Sequence, residues 1–561
     1  MSPGEPRVSP ARESTPDPAA QPPAQPELFG QSPDRPDAPL GEPPEALEAP
    51  GQSVPDEASP AERPSRFRER YDSIVVGAGV GGLISAALLA RAGQSVLVLE
   101  RAGSPGGVCR SVALEGQPVD VGTTLLAGWG ANGPAVIALE RLGIKLSTRA
   151  CDPILQVALP RHRVSLYAEA ERWWAEIRRE LPEDEAGWRA LFSELDDLVR
   201  DREALARELP PLPPRDWRAH LRCRYLLTVR GLWGAGKDRV RAVQRALQTP
   251  FRATLEGHGL GGASRQVVDA CLWSLLLRDA DECSTLEATL ALVRLRQGAV
   301  NIAGGAGGLV EALCARLARD GGELCCETPV RRCLVEKGRV VGVVTKAGDT
   351  IRARWVVADV PPGILAKDLL PQRRAWYERP RVLDGSWAPL RVAQGMGLTL
   401  PQALLPSELG SHCLVVQDGG RPARDENCVC VRVLAAPAGR VTPATLRCVC
   451  LGRFVAVPRP GDDATLGPAL LRALDQIVPG VADACAGQEV LSSSRLEALW
   501  GRPSAAVRFA RESQSWLGRQ GMPHETGWPG LLAVGDWTHP GRLLADVVAG
   551  AMEVADAILA H

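Results

Sequence analysis

A chain of 561 residues is too long for one simple hydrophobic core, and we expect two domains with additional segments. Its hydrophobic content of 45% is that of an ordinary globular protein. A formal net charge of −1, without a basic tract interleaved with aromatic residues, gives no reason to expect a nucleic-acid partner.

The distribution of the cysteines and the N-terminal sequence indicate the cellular compartment in which we expect this protein. Fifteen cysteines are scattered through apolar stretches rather than spaced as the framework of a small disulfide-rich domain. The start, MSPGEPRVSP, has neither the basic nor the apolar region of a secretory signal. No apolar run approaches the roughly 20 residues that cross a bilayer. We therefore expect a cytoplasmic protein with reduced thiols, either soluble or peripheral to a membrane.

The first segment, residues 1–65, is rich in Pro, Glu, Asp, Ala and Ser. Such a composition buries too little apolar surface to offset the entropy of ordering the chain, so it predicts disorder. A solubilising tail is the simpler interpretation, and a partner-binding arm is the alternative. The folded part should begin near Ser65–Arg70.

The stretch Ser73–Ser111 has the order of elements that binds a dinucleotide. An apolar strand at Ser73–Val76 leads into a glycine turn and a helix at Leu83–Ala92, which Gly93 ends. A second apolar strand follows at Ser95–Leu99. The turn between the first strand and the helix reads Gly77-Ala78-Gly79-Val80-Gly81-Gly82.

The glycines of this turn have distinct physical roles. Gly77 permits the sharp turn, Gly79 lets a pyrophosphate approach the backbone, and Gly82 lets the helix press on the sheet. The start of the helix supplies free N–H groups and partial positive charge to the phosphates. Glu100 lies 18 residues beyond Gly82, where a carboxylate accepts hydrogen bonds from an adenosine ribose and repels the 2′-phosphate of NADP. NAD and FAD remain.

The continuation distinguishes these two cofactors. Arg101 is followed by Pro105-Gly106-Gly107, and the glycine pair brings backbone near the same diphosphate again. This resembles the FAD-binding pattern of the amine oxidase and phytoene desaturase flavoprotein superfamily, with Val108 where the family often has arginine. The resemblance implies FAD as the cofactor. It implies cofactor-binding roles for Gly77, Ala78, Gly79, Gly81, Gly82, Glu100, Arg101, Gly106 and Gly107.

An Asp-x-Gly sequence follows the glycine pair, formed by Asp120 and Gly122. In the superfamily a matching Asp-x-Gly lies close to the flavin and leads into the substrate domain. The resemblance therefore implies a position near the flavin for both residues, although Thr123 stands where the family often has proline.

The next segment, Ala150–Leu295, is mainly helical by its pattern, with amphipathic windows such as Trp188–Leu205 and Val267–Leu277. Packing on the domain core is the simpler interpretation of each apolar stripe. The alternative is that a helix bearing Arg and Trp lies on a membrane surface.

The block Asn301–Asp359 begins with a glycine loop and a predicted helix, Leu309–Arg319. Four short predicted strands follow: Glu323–Cys326, Val330–Val335, Arg339–Thr345 and Thr350–Val357. This resembles the middle segment of the superfamily, where a small β-unit returns to the FAD domain. In that unit the backbone of a valine commonly contacts the adenine, and Val330 takes its place.

The region from Ile364 to about Val490 is predicted to mix helices with antiparallel strands. Strands at Cys428–Leu434 and Leu446–Val457 each place two cysteines on one face, Cys428 with Cys430 and Cys448 with Cys450. Zinc ligands more often lie on turns, and buried thiols behave as small hydrophobic groups. We predict no metal site.

The C-terminal block starts with a strand at Leu531–Val534, a Gly535-Asp536 turn and a helix at Asp546–Leu559. A strand that ends in Gly-Asp places a carboxylate where the ribityl or diphosphate chain of a flavin runs. The start of the helix directs partial positive charge at the pyrimidine edge of the flavin.

This block resembles the closing motif of the superfamily. Thr538-His539-Pro540-Gly541 matches the motif without gaps, and Val547 matches its valine, whereas Asp546, Gly550 and Ala551 depart from it. His539 is the one histidine that we place near the flavin. Bonding to backbone is the simpler interpretation of its role, since closeness to a flavin does not make a base.

The resemblance implies an α/β fold, with a Rossmann-like FAD-binding domain of the glutathione-reductase type and a discontinuously inserted α+β substrate domain. The FAD-binding domain is predicted at residues 66–130, 300–365 and 495–561, and the substrate domain at 131–299 and 366–494.

The spacing of the motifs is most similar to the branch with phytoene desaturases, carotenoid isomerases and retinol saturases. That branch implies a role in carotenoid biosynthesis, contact with a membrane surface and hydride transfer between flavin N5 and a carbon–carbon unit of an apolar isoprenoid or polyene. The catalytic residues, the substrate, the net reaction, the electron acceptor and the oligomeric state stay open. Alternatives are an amine oxidase, a protoporphyrinogen-oxidase-like enzyme and a non-catalytic FAD-binding protein.

Overall fold

A parallel sheet forms where short apolar runs alternate with helices, because strands buried on both faces must be apolar throughout. Arg70–Val76 pairs in parallel with Val96–Leu99 on one side and with Thr350–Ala358 on the other. Glu323–Cys325 extends the parallel sheet at one edge, and Leu531–Ala533 pairs in parallel with the carboxyl half of Thr350–Ala358. We call this the first sheet.

Two antiparallel strands complete the first sheet, Arg339–Thr345 and Val330–Glu336. Helices Val80–Arg91, Gly305–Arg319 and Leu544–Leu559 contribute to one apolar core of this part of the fold. Apolar residues of a second core, including Leu365, lie against the same strands. This architecture confirms the predicted α/β class and its Rossmann-like sheet.

A second sheet is mainly antiparallel and has eight strands among the residues that the structure describes. Its strands are Leu155–Ala158, Arg163–Leu166, Pro389–Pro401, His412–Val416, Cys428–Val433, Leu446–Val455, Gly487–Leu491 and Ala506–Phe509. The prediction of antiparallel strands after Ile364 is confirmed. Strands Leu155–Ala158 and Arg163–Leu166 were not predicted, because they lie in the segment that the sequence predicted to be mainly helical.

A helical layer shares an apolar core with the second sheet through helices Ala170–Glu180, Glu185–Glu208, Phe251–Gly257, Gly262–Leu276 and Thr285–Arg296. Two further helices of the layer, Trp217–Leu232 and Lys237–Gln248, pack in a separate core with residues of Glu185–Glu208 and Thr285–Arg296. Helix Asp463–Asp475 contributes residues to another core of the same sheet. Both amphipathic windows lie in this layer, within Glu185–Glu208 and Gly262–Leu276, with one residue of the second beyond the helix end.

The remaining elements are short. Small strands lie at Ser111–Leu114, Gln117–Asp120, Leu126–Ala127, Thr148–Ala150, Ala299–Ile302, Ser515–Trp516 and Arg519–Gln520. Further helices lie at Pro134–Leu142, Pro362–Ile364, Val481–Ala484 and Ser493–Trp500. Within the described part of the chain, no helix combines the length and apolar character needed to cross a membrane.

The computed structural model describes residues 66–114, 117–120, 122, 125–130, 133–209, 217–232, 236–371, 389–434, 442–456, 463–509, 515–516 and 519–561. The chain divides into two units, Met1–Arg63 and Pro64–His561. The predicted disordered segment lies outside the described residues, and the residue boundaries of the two folded domains stay a prediction.

Candidate dinucleotide site

The carboxyl ends of the parallel strands open into a cavity of about 440 Å³, which is within the size range of small-molecule sites. Its walls come from distant parts of the chain, including residues 76–125, 274–277, 329–369 and 500–547. The three segments that the glycine motifs single out therefore meet around one space.

The glycine turn and the later glycine pair are in direct contact. Gly106 donates its backbone N–H to the carbonyl oxygen of Ala78 at 2.7 Å, and it forms an isolated bridge with Gly79. A Cβ on Gly107 would lie 3.5 Å from the Cα of Gly79. Gly106 has a φ of +117°, which favours glycine. Two stretches of bare backbone thus border the cavity side by side.

Glu100 holds this turn in place. Its Oε2 accepts the N–H of Ala78 at 2.7 Å, and its Oε1 accepts the N–H of Ala102 at 2.8 Å. Each carboxylate oxygen has a second lone pair, so a ribose hydroxyl can still be accepted. Arg101 follows on the cavity wall and packs against Gly501, where a Cβ would overlap its guanidinium.

The third glycine of the turn lies behind the cavity wall. A Cβ on Gly82 would lie 2.5 Å from the carbonyl oxygen of Gly77, so only glycine allows this approach between helix and turn. The N–H of Gly82 is donated to Oδ2 of Asp359 at 2.8 Å. A carboxylate from the end of a neighbouring strand therefore caps the first turn of helix Val80–Arg91.

Asp359 is a cavity residue that our sequence reasoning missed. Burial raises the pKa of its carboxyl to about 7, and the nearby Asp536 and Glu100 act in the same direction. The N–H of Gly82 and the charge of Arg502 oppose the shift. A signal was present in the sequence, because Asp359 lies two residues beyond the predicted strand Thr350–Val357, and the carboxyl ends of parallel strands face the ligand in such sheets.

The C-terminal part of the wall contains a charge pair. Arg502 donates two hydrogen bonds to Asp536, each at 2.8 Å, in the bidentate arrangement that guanidinium and carboxylate favour. Burial alone would raise the pKa of Asp536, but the charges of Arg502 and Arg542 and the hydrogen bonds from Arg502 lower it. Asp536 therefore stays ionised, and both arginines lie on the cavity wall. Nothing in the sequence around either arginine indicated this.

Eleven of the thirteen predicted cofactor-binding residues line this one cavity. They are Gly77, Gly79, Gly81, Glu100, Arg101, Gly106, Gly107, Val330, Gly535, Asp536 and Val547. Ala78 and Gly82 are outside the lining and support it from behind through the hydrogen bonds described above. Contact of these residues with a cofactor stays a prediction.

Another part of the cavity wall is apolar. It is formed by Val108, Leu125, Leu275, Leu277, Phe454, Trp500, Val507, Leu543 and Leu544. Leu277 ends helix Gly262–Leu276 at a φ of +53°, a left-handed conformation that a branched side chain rarely adopts. Strained backbone of this kind is concentrated at ligand sites, where the surrounding structure holds it.

Asp120 does not line the cavity, whereas Gly122 does, and their expected position near the flavin stays a prediction. The Asp120 carboxylate is buried, accepts hydrogen bonds from Ser111 Oγ at 2.6 Å and Ala306 N–H at 2.9 Å, and pairs with Arg432. Because Ala306 lies in the first turn of helix Gly305–Arg319 and Arg432 belongs to the second sheet, Asp120 joins these elements.

Replacing Asp120 with asparagine is therefore expected to reduce stability without weakening the cofactor site. The substitution leaves Arg432 buried without a counter-charge, and breaking such a pair costs about 3 kcal/mol of unfolding free energy. Chemical denaturation of the apoprotein measures this loss, and FAD titration at native conditions should give the wild-type affinity. A matching loss of FAD affinity without loss of stability would contradict the positioning role.

His539 is also absent from the cavity lining, and its expected position near the flavin stays a prediction. It is buried, and its backbone N–H is donated to the carbonyl oxygen of Met522 at 2.9 Å. In the part of the chain that the structure describes, no three His, Cys, Asp or Glu side chains are grouped as metal ligands. The two cysteine pairs do not converge, since Cys430 pairs with Gly452 and Cys450 with Arg432 in the strand register.

The site fits a flavin dinucleotide by its donor set. A glycine turn, in which a Cβ on Gly79 would lie 2.5 Å from Asp359 Oδ2, leaves space only for bare backbone at the helix start. Helix N–H groups and the neighbouring arginines suit a diphosphate, Glu100 suits a ribose, and the apolar wall suits a flat ring system.

Comparisons with known proteins agree with this site. The sequence model of the family described as flavin containing amine oxidoreductase matches residues 80–428, more than half of the chain. Chloroplastic prolycopene isomerase from Daucus carota is 24% identical over 373 residues, 63% of this chain and 56% of that protein. Hydroxyneurosporene desaturase from Rubrivivax gelatinosus is 28% identical over 331 residues, 54% of this chain and 56% of that protein.

The matched part of the chain thus spans about half the length of these curated relatives. A solved structure of an oxidoreductase from Methanosarcina mazei shares the fold, with a TM-score of 0.58 at 18% identity over 86% of this chain and 99% of that chain. The chain belongs to the flavin-containing amine oxidoreductase family, and its cofactor is FAD.

Proposed function

We propose that this protein is an FAD-dependent oxidoreductase that acts on carbon–carbon bonds of a long apolar isoprenoid or polyene. The observation that carries the proposal is the composition of the cavity, which joins a dinucleotide-type wall to an apolar one. The similarity to a prolycopene isomerase and a hydroxyneurosporene desaturase supports the same substrate class.

The residues of the polar wall would hold the cofactor. The N–H groups at the start of helix Val80–Arg91 and the guanidinium groups of Arg502 and Arg542 would bind the diphosphate, and Glu100 would bind the adenosine ribose. Val330 lies on the wall beside Pro329, where its backbone would contact the adenine. Bound FAD would supply the redox chemistry, exchanging a hydride equivalent with the substrate.

The apolar wall would bind the substrate and exclude water. Its side chains carry no ionisable group, so a hydrocarbon chain enters without leaving a buried charge unpaired. The carboxylates of the cavity, Glu100, Asp359, Asp368 and Asp536, are outside this apolar group. An ammonium group placed against the apolar wall would therefore lose hydration without gaining a partner there, so this wall favours a polyene over an amine.

Expression in bacteria that accumulate defined acyclic carotenes tests the proposal. We expect pigment chromatography to show a change in the number or geometry of double bonds in cells that produce the wild-type chain. Cells that produce the Gly82→Ala variant, which we expect to lack FAD, provide the matched control. Anaerobic titration of the purified holoprotein with polyenes and with amines shows which class reduces the flavin.

An unchanged pigment profile with all acyclic carotenes, from a protein that contains FAD, would contradict the proposal. Reduction by amines would then indicate an amine oxidase, and oxidation of protoporphyrinogen would indicate an enzyme of that type. A holoprotein that reacts with none of these would be a non-catalytic FAD-binding protein.

A further inference from the structure

A largely buried ion pair that the sequence did not predict joins helix Thr285–Arg296 to helix Leu544–Leu559. Arg294, near the end of the first helix, donates a hydrogen bond from Nη1 to Oδ1 of Asp546, in the first turn of the second. The two side chains are only 18% and 10% exposed. Asp546 departs from the closing motif and Arg294 belongs to none of the motifs, so this pair is a feature of this chain's own fold.

The pair lies at the helix start that borders the dinucleotide cavity. Leu544 and Val547, in the first turn of helix Leu544–Leu559, both line the cavity. Val547 also approaches the glycine turn, since a Cβ on Gly81 would lie 3.3 Å from its Cγ1. Asp546 stands between these two lining residues in the sequence but is absent from the lining. The ion pair is therefore directly behind the cavity wall.

Close packing fixes both charges in this position. A Cβ on Gly541 would lie 2.9 Å from Oδ2 of Asp546, and a Cβ on Gly128 would lie 3.0 Å from Cδ of Arg294. Gly128 has a φ of +82°, which favours glycine. Bare backbone thus lies against each of the two side chains, which leaves them little space to move.

The charges of the pair act on the electrostatics of the helix start. The free N–H groups there carry partial positive charge, which a carboxylate decreases and a guanidinium increases. We expect the pyrimidine edge of the flavin to lie at this helix start, and charge near that edge changes the free energy of flavin reduction, because the reduced ring carries negative charge. Buried charges are screened little by salt, so their effect extends through the wall.

We propose that the Arg294–Asp546 pair sets the reduction potential of bound FAD by holding two opposite charges behind this wall. The guanidinium favours reduction and the carboxylate opposes it, so the pair keeps the potential between the values that either charge alone would give. The inference concerns the cofactor and not the substrate, so it goes beyond the proposed function and is tested independently of it.

Equilibration of the purified holoprotein with a redox dye of known potential measures the effect without any substrate. At a fixed dye potential, we expect D546N to raise the ratio of reduced to oxidised flavin by about tenfold, because Arg294 loses its counter-charge. R294Q should lower the ratio by about tenfold, because the carboxylate remains alone. Tenfold corresponds to about 30 mV for a two-electron couple. The double variant D546N/R294Q lacks both charges and should lie close to the wild type.

A second ion pair provides the matched control. Arg316, near the end of helix Gly305–Arg319, donates two hydrogen bonds of 2.7 Å to Asp320. The side chains are 11% and 14% exposed, much as in the first pair, and neither residue lines the cofactor cavity. We expect R316Q and D320N to leave the ratio of reduced to oxidised flavin unchanged.

A purely structural pair would give a different result. Denaturant unfolding of D546N and R294Q would then show lost stability, while both variants kept the wild-type potential, and this outcome would overturn the proposal. Shifts of the same sign in both variants would also contradict it, since they would indicate a rearranged site. R294K keeps the cation and should keep the wild-type potential, so comparing R294K with R294Q tests the charge even where D546N fails to fold. Equal potentials in R294K and R294Q would overturn the proposal as well.

Discussion

Gly82→Ala is expected to yield a protein that is purified without FAD. The added Cβ would lie 2.5 Å from the carbonyl oxygen of Gly77 and 3.1 Å from the Cβ of Asp359. Both neighbours belong to backbone or to a short side chain at a strand end, so neither gives way easily. The first turn of helix Val80–Arg91 must therefore move away from the sheet, and its N–H groups leave the positions that bind the diphosphate.

The expected loss of FAD affinity is at least about 100-fold, which corresponds to about 3 kcal/mol. Flavin absorbance of the purified variant and titration of the apoprotein with FAD measure it. Circular dichroism of the apoprotein reports whether the fold remains, so that loss of binding can be distinguished from loss of structure.

Gly257→Ala is the matched control. Gly257 ends helix Phe251–Gly257, and a Cβ there would meet nothing within 4 Å. The control should retain FAD as the wild type does and lose no stability. If Gly82→Ala bound FAD with wild-type affinity, the close approach of helix and glycine turn would have no part in cofactor binding.

The sequence was sufficient to predict the dinucleotide wall because each of its parts is encoded locally. Glycine register, apolar strand and terminal carboxylate all lie between Ser73 and Glu100, and the observed elements there, Arg70–Val76, Val80–Arg91 and Val96–Leu99, differ from the predicted ones by three residues or fewer. The glycine pair and the Gly535-Asp536 turn are similarly short patterns, whose physical requirement is a backbone that approaches a ligand.

The contacts that the sequence did not reveal join positions far apart in the chain. Asp120 and Arg432 are 312 positions apart, and no local pattern indicates which carboxylate a buried arginine will reach. Arg502 is 34 positions from Asp536 and lies outside any motif. Strand Leu155–Ala158 pairs in parallel with His412–Val416, which lies far away in the sequence. The segment around Leu155–Ala158 has mainly helical periodicity, so the sequence did not predict this strand.

The apolar wall was also not predictable, for a different reason. Leu275, Leu277, Phe454 and Trp500 come from separate elements, and an apolar residue that lines a cavity has the same sequence pattern as one that fills a core. Only the fold shows which apolar side chains border the dinucleotide wall. The substrate class therefore stays a proposal, supported by the cavity and by the resemblance.

The apoprotein is expected to lose stability as pH rises, and Asp359→Asn is expected to abolish this loss. Burial raises the pKa of Asp359 from the ordinary range of an aspartate to about 7 in the folded state. Between about pH 4 and pH 7 the folded chain therefore keeps a proton that the unfolded chain has lost, and the unfolding free energy falls as pH rises. At about 1.4 kcal/mol per pKa unit, the full penalty above pH 7 is up to about 4 kcal/mol.

Asparagine has nearly the same shape and can still accept the N–H of Gly82 at the position where Oδ2 accepts it at 2.8 Å. It carries no charge at any pH, so the variant should be more stable than wild type above pH 7 and equally stable near pH 4. Denaturant unfolding of both apoproteins across this range measures the difference.

The charge of Asp359 also faces the diphosphate wall, together with Glu100 and Asp536. The FAD affinity of the wild type should therefore fall as pH rises through about 7. The FAD affinity of Asp359→Asn should stay constant.

Asp536→Asn supplies a control of opposite sign. The pKa of Asp536 is lowered by Arg502 and Arg542 despite burial, so its charge stabilises the folded state above the pKa of the unfolded chain. That stabilisation is lost as pH falls through the folded-state pKa. Asp536→Asn should therefore be less stable than wild type at neutral pH, and the difference should shrink in acid.

Parallel pH profiles of unfolding free energy for wild type and Asp359→Asn would contradict the prediction for Asp359. They would mean that Asp359 is ionised in the folded protein without cost, and that this carboxylate at the first turn of helix Val80–Arg91 does not oppose the diphosphate.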